Sequence, residues 1–339
     1  MDARELPPLI GQSPAFVALL EQASRVAPLD RPALVIGERG TGKELISARL
    51  HYLSRRWDGP FVKVNCAALS PDLLESELFG HEAGAFTGAL RRQLGRFERA
   101  AGGTLFLDEI ATASLRVQEK ILRVVEYGEF ERLGSGETLA VDVRVIAATN
   151  VDLPAAIATG QFRADLLDRL AFEVLTVPPL RARPDDIPRL AQAFGQAMAG
   201  ELGRGPFAGF AAAAIDRLLA HPWPGNVREL KNVAERSVFR AERLDRPVRE
   251  IALDPFESPF RAAPPPPTGP ATATNPPAAG VDGPVDLDRH LAGEERRLIE
   301  AALARHRHNR RRAAVALGLS YDQLRARLRR LAIDDTVAA

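Results

Sequence analysis

Three observations predict an α/β fold carrying a helical appendage. Up to about residue 175, short apolar runs alternate with amphipathic stretches, the pattern of a mostly parallel sheet with helices on both faces. Within it, the apolar run Ala33–Ile36 leads into Gly37-Glu38-Arg39-Gly40-Thr41-Gly42-Lys43-Glu44 and then the helix-like Leu45–Leu50, giving strand, glycine loop, helix. From Pro184 to about Arg243 only the helical period remains. The chain therefore divides into an α/β subdomain over 1–175, a helical subdomain over 176–250, a linker over 251–285 and a second helical domain over 286–339.

The glycine loop reads as a phosphate cradle. Without a Cβ in the way, backbone N–H groups can curl around phosphate; the helix start adds partial positive charge and Lys43 a full one. The residue after the lysine is expected to be Ser or Thr, holding magnesium. Glu44 stands there instead, so the metal shell is altered. Before the second strand, Phe61–Val64, the polar turn Arg55–Pro60 contains Trp57. It reads as a rim residue capping the sheet or as a partner-docking anchor. Helix-like Pro71–Phe79 and Gly95–Ala100 flank Gly84-Ala85-Phe86-Thr87-Gly88-Ala89, a poor helix interior that still carries a phenylalanine. A tight turn tucking Phe86 onto the core and a loop tip presenting it to a partner fit equally.

The run Thr104–Leu107 ends in Asp108-Glu109, which reads as a buried parallel strand delivering two carboxylates to its C-terminal edge. A solvated strand end is the plain alternative. Together with the cradle upstream, the pair points to nucleotide hydrolysis, with Asp108 holding magnesium and Glu109 orienting the attacking water. Val143–Ala148 and Phe172–Val177 complete the strands, and Asp186–Ala199, Ala211–Leu219 and Asn226–Arg240 are the expected helices of the second subdomain.

Residues 255–284 are crowded with Pro, Ala, Thr and Gly and read as a semi-extended linker. Beyond it, Leu287–Arg305 regains helical period. Asn309–Leu328 then reads as helix, glycine turn and a helix capped by Ser320, a helix-turn-helix with Tyr321–Leu331 as the reading helix. Between Arg305 and Arg330 lie nine arginines and one acid, Asp322, a charge suited to DNA phosphates. A solvated amphipathic helix pair is the alternative. The candidates for base or backbone contact are Arg310, Arg311, Arg312, Ser320, Tyr321, Gln323, Arg325 and Arg327.

The 339 residues carry a net charge of +1, so no strong overall field exists. Cys66 is the sole cysteine, which excludes a disulfide framework and a cysteine zinc site. There is no signal peptide and no apolar run of membrane-spanning length, so a cytoplasmic protein is expected.

Glu77–Glu82, the Gly84–Ala89 loop, the cradle, the Asp108-Glu109 strand and Trp223-Pro224-Gly225-Asn226-Val227-Arg228-Glu229-Leu230 occur in one order. Together they resemble the central AAA+ domain of bacterial enhancer-binding proteins, the activators of sigma-54 RNA polymerase. The resemblance implies an AAA+ P-loop NTPase core with a helical lid subdomain, followed by an all-α Fis-like helix-turn-helix domain. In that family Glu after the lysine is usual. ATP and Mg2+ are then the expected ligands, held by residues 37–44, by Thr149 and Asn150 as sensor of the γ-phosphate, and by the lid arginine Arg228. Asn65 is implied to hold Glu109 away from water until the partner is engaged. Arg163 and Arg169 are implied arginine fingers acting in a neighbouring subunit; from the residues alone they read as a salt-bridged helix face. Such fingers imply a ring, by family precedent a hexamer. The Gly84–Ala89 loop is implied to grip sigma-54, and the C-terminal module to bind an upstream DNA enhancer.

The core begins within about ten residues of Met1, whereas a sensing domain needs roughly 100 residues. Control in trans is expected, as in family members serving a phage-shock (membrane-stress) operon. There an inhibitor of the phage shock protein A type implies Trp57 as its contact. A DNA-binding regulator with an inert nucleotide fold, and an AAA+ remodeller of other substrates, are the competing readings.

Overall fold

The computed structural model describes residues 9–256, 287–306 and 309–331, which fall in two compact units, the first ending at Glu257. In chain order the first unit's α/β part contains α1 (Pro14–Val26), β1 (Ala33–Ile36), α2 (Lys43–Tyr52), β2 (Phe61–Asn65), α3 (Pro71–Phe79), β3 (Gly80–His81), β4 (Gln93–Leu94), α4 (Arg96–Arg99), β5 (Thr104–Asp108), α5 (Leu115–Tyr127), β6 (Glu129–Glu131), β7 (Thr138–Ala140), β8 (Arg144–Thr149), α6 (Leu153–Ala158), α7 (Ala164–Leu170) and β9 (Val174–Thr176). A lid of α8 (Asp186–Leu202), α9 (Ala212–Ala220) and α10 (Asn226–Arg240) follows.

Five parallel strands form the sheet in the order β2-β5-β8-β1-β9. Each anticipated run became one of them. Their near-continuous apolar sequence suits strands covered on both faces. One face packs Leu105, Leu107, Val145 and Ala147 against α3, α5 and α7; the other packs Val35, Phe106, Ile146 and Ala148 against α1 and α2. Arg144, buried beside the sheet, donates to Ala27 O at 2.7 Å and Arg31 O at 2.9 Å, tying the end of α1 to the strand below.

The register decides the chemistry. Ile36 pairs with Thr149 and Asn65 with Asp108, so the C-terminal ends of β1, β2, β5 and β8 lie side by side. Strand β8 separates β5 from β1, placing the glycine loop and the acidic pair at one edge, where parallel sheets bind ligands.

Two small ribbons were not anticipated. Strands β3 and β4 pair antiparallel and carry residues 82–92, including the Gly84–Ala89 loop, as their connection. Strands β6 and β7 form a second hairpin, and Glu82 N–H donates to Leu133 O at 3.0 Å between the two. A Cβ on Gly134 would lie 2.7 Å from Ala85 Cβ, so the second hairpin packs against the first loop.

The lid has its own core, built on Leu190, Ala214, Leu218, Trp223 and Leu230. Trp223 is fully buried and its Nε1–H donates to Leu218 O at 2.8 Å, which removes the penalty of burying the indole donor. Packing continues past residue 250: Ile251 and Ala252 are buried, and Ala252 N–H donates to Ser237 Oγ at 3.0 Å. Residues 257–285 of the expected linker lie outside the described residues.

In the second unit, α11 (Leu287–Arg305), α12 (Arg310–Ala316) and α13 (Tyr321–Arg330) share a core of Ile299, Leu303, Ala313, Ala314, Leu324 and Leu328. Among the described residues no helix is long and apolar enough to cross a membrane.

Candidate nucleotide-binding site

Loop 37–42 curls at the end of β1 because its glycines take up positive φ: Gly40 sits at +75° and Gly42 at +99°. Among the described residues, the N–H groups of Gly40, Gly42, Lys43 and Glu44 find no acceptor within the chain. Four free donors at the start of a ten-residue helix form an anion cradle, which fits a nucleotide's phosphates. Lys43 is buried, and its Nζ donates to Gly37 O at 2.9 Å and Glu38 O at 3.2 Å. Burial pulls its pKa down, while Glu109 and Asp108 oppose that by favouring the charged form.

Asp108 ends β5 and accepts from Glu109 N–H at 3.0 Å. Burial, then the neighbouring Glu109 charge, raise its pKa; Lys43 pulls the other way. Such a carboxylate gains from a cation beside it. One acid plus phosphate oxygens is how magnesium is commonly held, so the residues fit that ion. Glu109 has φ +52°, ψ +43°, a left-handed backbone for a non-glycine residue. That conformation costs on the order of 1–3 kcal/mol and is typical of functional sites.

Several expected residues turn away from the cradle. Asn65 caps the turn after β2: its Oδ1 accepts from Ala67 N–H at 2.9 Å, and no Asn65–Glu109 hydrogen bond is formed among the described residues. The expected restraint on Glu109 is therefore not made in this arrangement. Thr149 is fully buried and its Oγ1 accepts from Val151 N–H, while Asn150 is exposed. Glu44 projects outward to Lys63 Nζ at 2.8 Å. Arg39 is exposed. Arg228 reaches the loop through its backbone, N–H to Gly40 O at 3.3 Å, with its side chain exposed.

Glu38 departs most from expectation. Its carboxylate leaves the cradle for Arg181 and Asn226, partners that push its pKa down to about 2. Arg181, Arg183 and Asn226 were not singled out as site residues. They lie 143, 142 and 188 positions from the loop residues they touch, and no local period marks such pairs.

Arg163 stands at the N-cap of α7 and Arg169 in its last turn, both at the molecular surface. Arg163 grips Asp165 through two hydrogen bonds, at 3.0 and 2.7 Å, and Arg169 meets Glu126 at 2.5 Å. In the single chain they form the ion pairs that the residue-level reading anticipated.

At the loop over 84–89, Phe86 is neither tucked nor free. It is 45% exposed and packs edge-on against His81, ring centroids 5.0 Å apart. Thr87 is exposed. Trp57 lies in the turn between α2 and β2, 57% exposed.

In the second unit, Ser320 and Gln323 form a reciprocal capping box at the start of α13, so both are spent on the helix end. Arg327 pairs with Glu295 of α11 at 3.0 Å. These three are therefore less available to DNA than the sequence suggested. Arg311, Arg312, Tyr321 and Arg325 are exposed, whereas Arg310 is only half-buried.

Comparison with known proteins agrees with this architecture. Residues 9–176 match the sigma-54 interaction domain, 181–265 the AAA+ ATPase lid domain, and 291–331 the bacterial regulatory protein, Fis family. The chain is 53% identical over 322 residues to the Psp operon transcriptional activator of Escherichia coli K12, covering 95% of this chain and 97% of that one. It is 49% identical over 260 residues to the Nif-specific regulatory protein of Azotobacter vinelandii, covering 76% of this chain and 49% of that one. The crystal structure of NtrX from Brucella abortus in complex with ATP superposes with a TM-score of 0.68 at 34% identity, over 96% of this chain and 70% of that one. Core, lid and helix-turn-helix thus stand in one order, and the chain belongs to the sigma-54-dependent transcriptional activators, ATP-binding AAA+ proteins that act on sigma-54 RNA polymerase and bind DNA.

Proposed function

We propose that this activator assembles into a hexameric ring in the cytoplasm, hydrolyses ATP at the seams between protomers and uses that energy to open the sigma-54 RNA polymerase closed complex. The observation that carries the reading is the junction of β1 and β5. A cradle of four unpaired N–H groups with Lys43 faces a carboxylate pair whose second member, Glu109, is held in a strained left-handed backbone.

In this reading Lys43 and the amides of 40 and 42–44 hold the β- and γ-phosphates. A magnesium ion held by Asp108 would offset phosphate charge. Glu109 orients and polarises the attacking water, and Asn65 must leave Ala67 N–H, once nucleotide is bound, to keep it in check before the partner is engaged. Thr149 and Asn150 report the state of the γ-phosphate to β8 and α6, and Arg228 contacts nucleotide from the lid. Arg163 and Arg169 leave Asp165 and Glu126 to reach the next protomer. There they stabilise charge on the transferred phosphoryl group, a role worth about 10³–10⁵ in rate elsewhere. Loop 84–89, mounted on a ribbon braced by a second hairpin, presents Phe86 and Thr87 to sigma-54. The second unit binds an enhancer upstream of a phage-shock (membrane-stress) operon. Control comes in trans from an inhibitor of the phage shock protein A type, docking at Trp57.

Two measurements test this. ATPase activity per protomer should rise steeply with protein concentration; activity absent at every concentration would favour an inert nucleotide fold. Thr87→Ala should keep ATP turnover within about threefold yet lose the sigma-54 complex formed with an ATP transition-state mimic, because only the contact is removed. Full complex formation by that variant would refute the loop assignment.

A further inference from the structure

The lid grips the outer rim of the glycine loop at four consecutive residues. Glu38 accepts from Arg181 through both oxygens, at 2.8 and 2.5 Å, and from Asn226 Nδ2 at 3.0 Å. Each of the next three carbonyls is taken as well. Arg39 O accepts from Asn226 Nδ2 at 3.0 Å, Gly40 O from Arg228 N–H at 3.3 Å, and Thr41 O from Arg183 Nη2 at 3.1 Å.

These contacts have a geometric consequence for the opposite rim. In a planar trans peptide the carbonyl of one residue and the N–H of the next point in opposite directions. Pinning the carbonyls of 39, 40 and 41 outward therefore aims the N–H groups of Gly40, Thr41 and Gly42 the other way. Of these, Gly40 and Gly42 contribute to the unpaired cradle.

The lid residues are themselves held firmly. Asn226 is fully buried at φ +52°, and its Oδ1 accepts from Leu180 N–H at 2.8 Å, so both ends of its amide are committed. Arg183 is 2% exposed, its guanidinium stacked 4.7 Å from the Phe16 ring centroid, and burial lowers its pKa. Asp186 opposes that shift by favouring the charged form, and the guanidinium is left to commit Nη2 to the loop carbonyl. Asp186, just beyond it in α8, is also fully buried and accepts from Gln12 N–H, Ser13 N–H and Ser13 Oγ, which fixes the start of α8 to the segment before α1.

We propose that Arg181, Arg183 and Asn226 are positioning residues for nucleotide binding, acting through Glu38 and the carbonyls of residues 39–41. This rests on the reading that the cradle holds the phosphates of ATP. The lid aims the amides, so lid orientation and phosphate affinity are one coupled quantity. By reciprocity, bound nucleotide stiffens the lid's attachment to the same degree that the attachment raises affinity. Glu38 is then a hinge pin rather than a phosphate ligand.

The test uses the full chain, with mant-ADP as probe, steady-state ATPase for KM and kcat, and thermal unfolding as a check on folding. Arg181→Ala should raise the mant-ADP Kd and the KM for ATP roughly tenfold, while kcat at saturation stays within about threefold. Asn226→Asp sets a second carboxylate against Glu38 while keeping the acceptor for Leu180, and should raise Kd by roughly thirtyfold or more. Adding Glu38→Gln to Asn226→Asp supplies an amide donor to the new acid and should recover part of that loss, at least about threefold in Kd, while the contact to Arg39 O stays unmade. A merely structural role predicts no such recovery. Wild-type affinity in Arg181→Ala, or a double variant no better than Asn226→Asp alone, overturns the proposal. Wild-type protein that binds no mant-ADP overturns the nucleotide reading itself, and this proposal with it.

Discussion

Replacing Gly40 by alanine should detach the lid from the glycine loop before any nucleotide is added. The added Cβ would lie 2.3 Å from Gly225 O and 3.1 Å from Arg228 Cβ. Carbon and oxygen normally approach to about 3.3 Å, so the two backbones must part by roughly 1 Å. That separation breaks the hydrogen bond from Arg228 N–H to Gly40 O, worth about 1 kcal/mol. Relieving the collision adds about 1–2 kcal/mol in favour of the undocked arrangement, whereas the left-handed strain of alanine at φ +75° is present docked and undocked alike. The docked arrangement should therefore weaken by about 2–3 kcal/mol, or roughly 30- to 150-fold in its equilibrium constant. Arg228 lies in the first turn of α10, where its N–H has no partner within the helix, so hydrogen exchange at that amide reports the docking directly. Exchange in Gly40→Ala should accelerate roughly thirtyfold or more. Gly42→Ala is the control. It has φ +99°, but the nearest atom to its Cβ is Leu45 Cδ1 at 3.9 Å, so it suffers strain without collision. Its Arg228 amide should exchange within about threefold of wild type. Equal protection in wild type and Gly40→Ala would refute the contact.

Other outcomes follow from the same geometry. Lys43→Ala and Arg163→Ala proteins should each be inactive yet regain ATPase activity when mixed, since about a quarter of randomly formed seams join an intact cradle to an intact finger; no recovery at any ratio would exclude a shared site. Arg325→Ala should lower the slope of log binding constant against log salt by about 1, measured by fluorescence anisotropy, whereas Ser320→Ala should destabilise α13 by about 1 kcal/mol without changing that slope. His51 is buried against Phe61 with its Nδ1 3.0 Å from Thr104 Oγ1, and burial, with Arg144 adding, pushes its pKa down to about 4. The unfolded chain then binds a proton through the window from about pH 6.5 to about 4 while the folded one does not. Stability should fall by about 1.4 kcal/mol per pH unit across it, roughly 3 kcal/mol in all, as the medium is acidified. Urea unfolding at pH 7 and 5 crosses about 1.5 units of that window and should show a fall of about 2 kcal/mol in the wild type and a smaller one in His51→Asn; equal falls would contradict it.

Much of the fold was legible because buried parallel strands are short apolar runs and lid helices keep their period. Asn226–Arg240 starts and stops where its pattern does. The β3–β4 and β6–β7 ribbons were not legible: strands of two or three residues are too short to show alternation. In the site, residue types within one loop could be read, but not where their side chains point. Glu38 sits between glycines in a phosphate cradle by sequence, yet its carboxylate is claimed by Arg181, which only the return of the chain after β9 brings near. Ser320 and Gln323 show the converse. Their three-residue spacing is a local capping signal, and it competed with a reading of the same residues as DNA contacts.

On the ring reading proposed above, Arg163 and Arg169 exchange their own-chain partners for a neighbour's phosphate on assembly. Each of the two guanidiniums already has a carboxylate of its own chain, in a solvent-screened surface pair that stabilises little. Trading that companion for a phosphate next door leaves a free acid behind and almost no thermodynamic debt. On that reading joining and parting would both be quick, and the number of chains present would set how many seams exist at any moment.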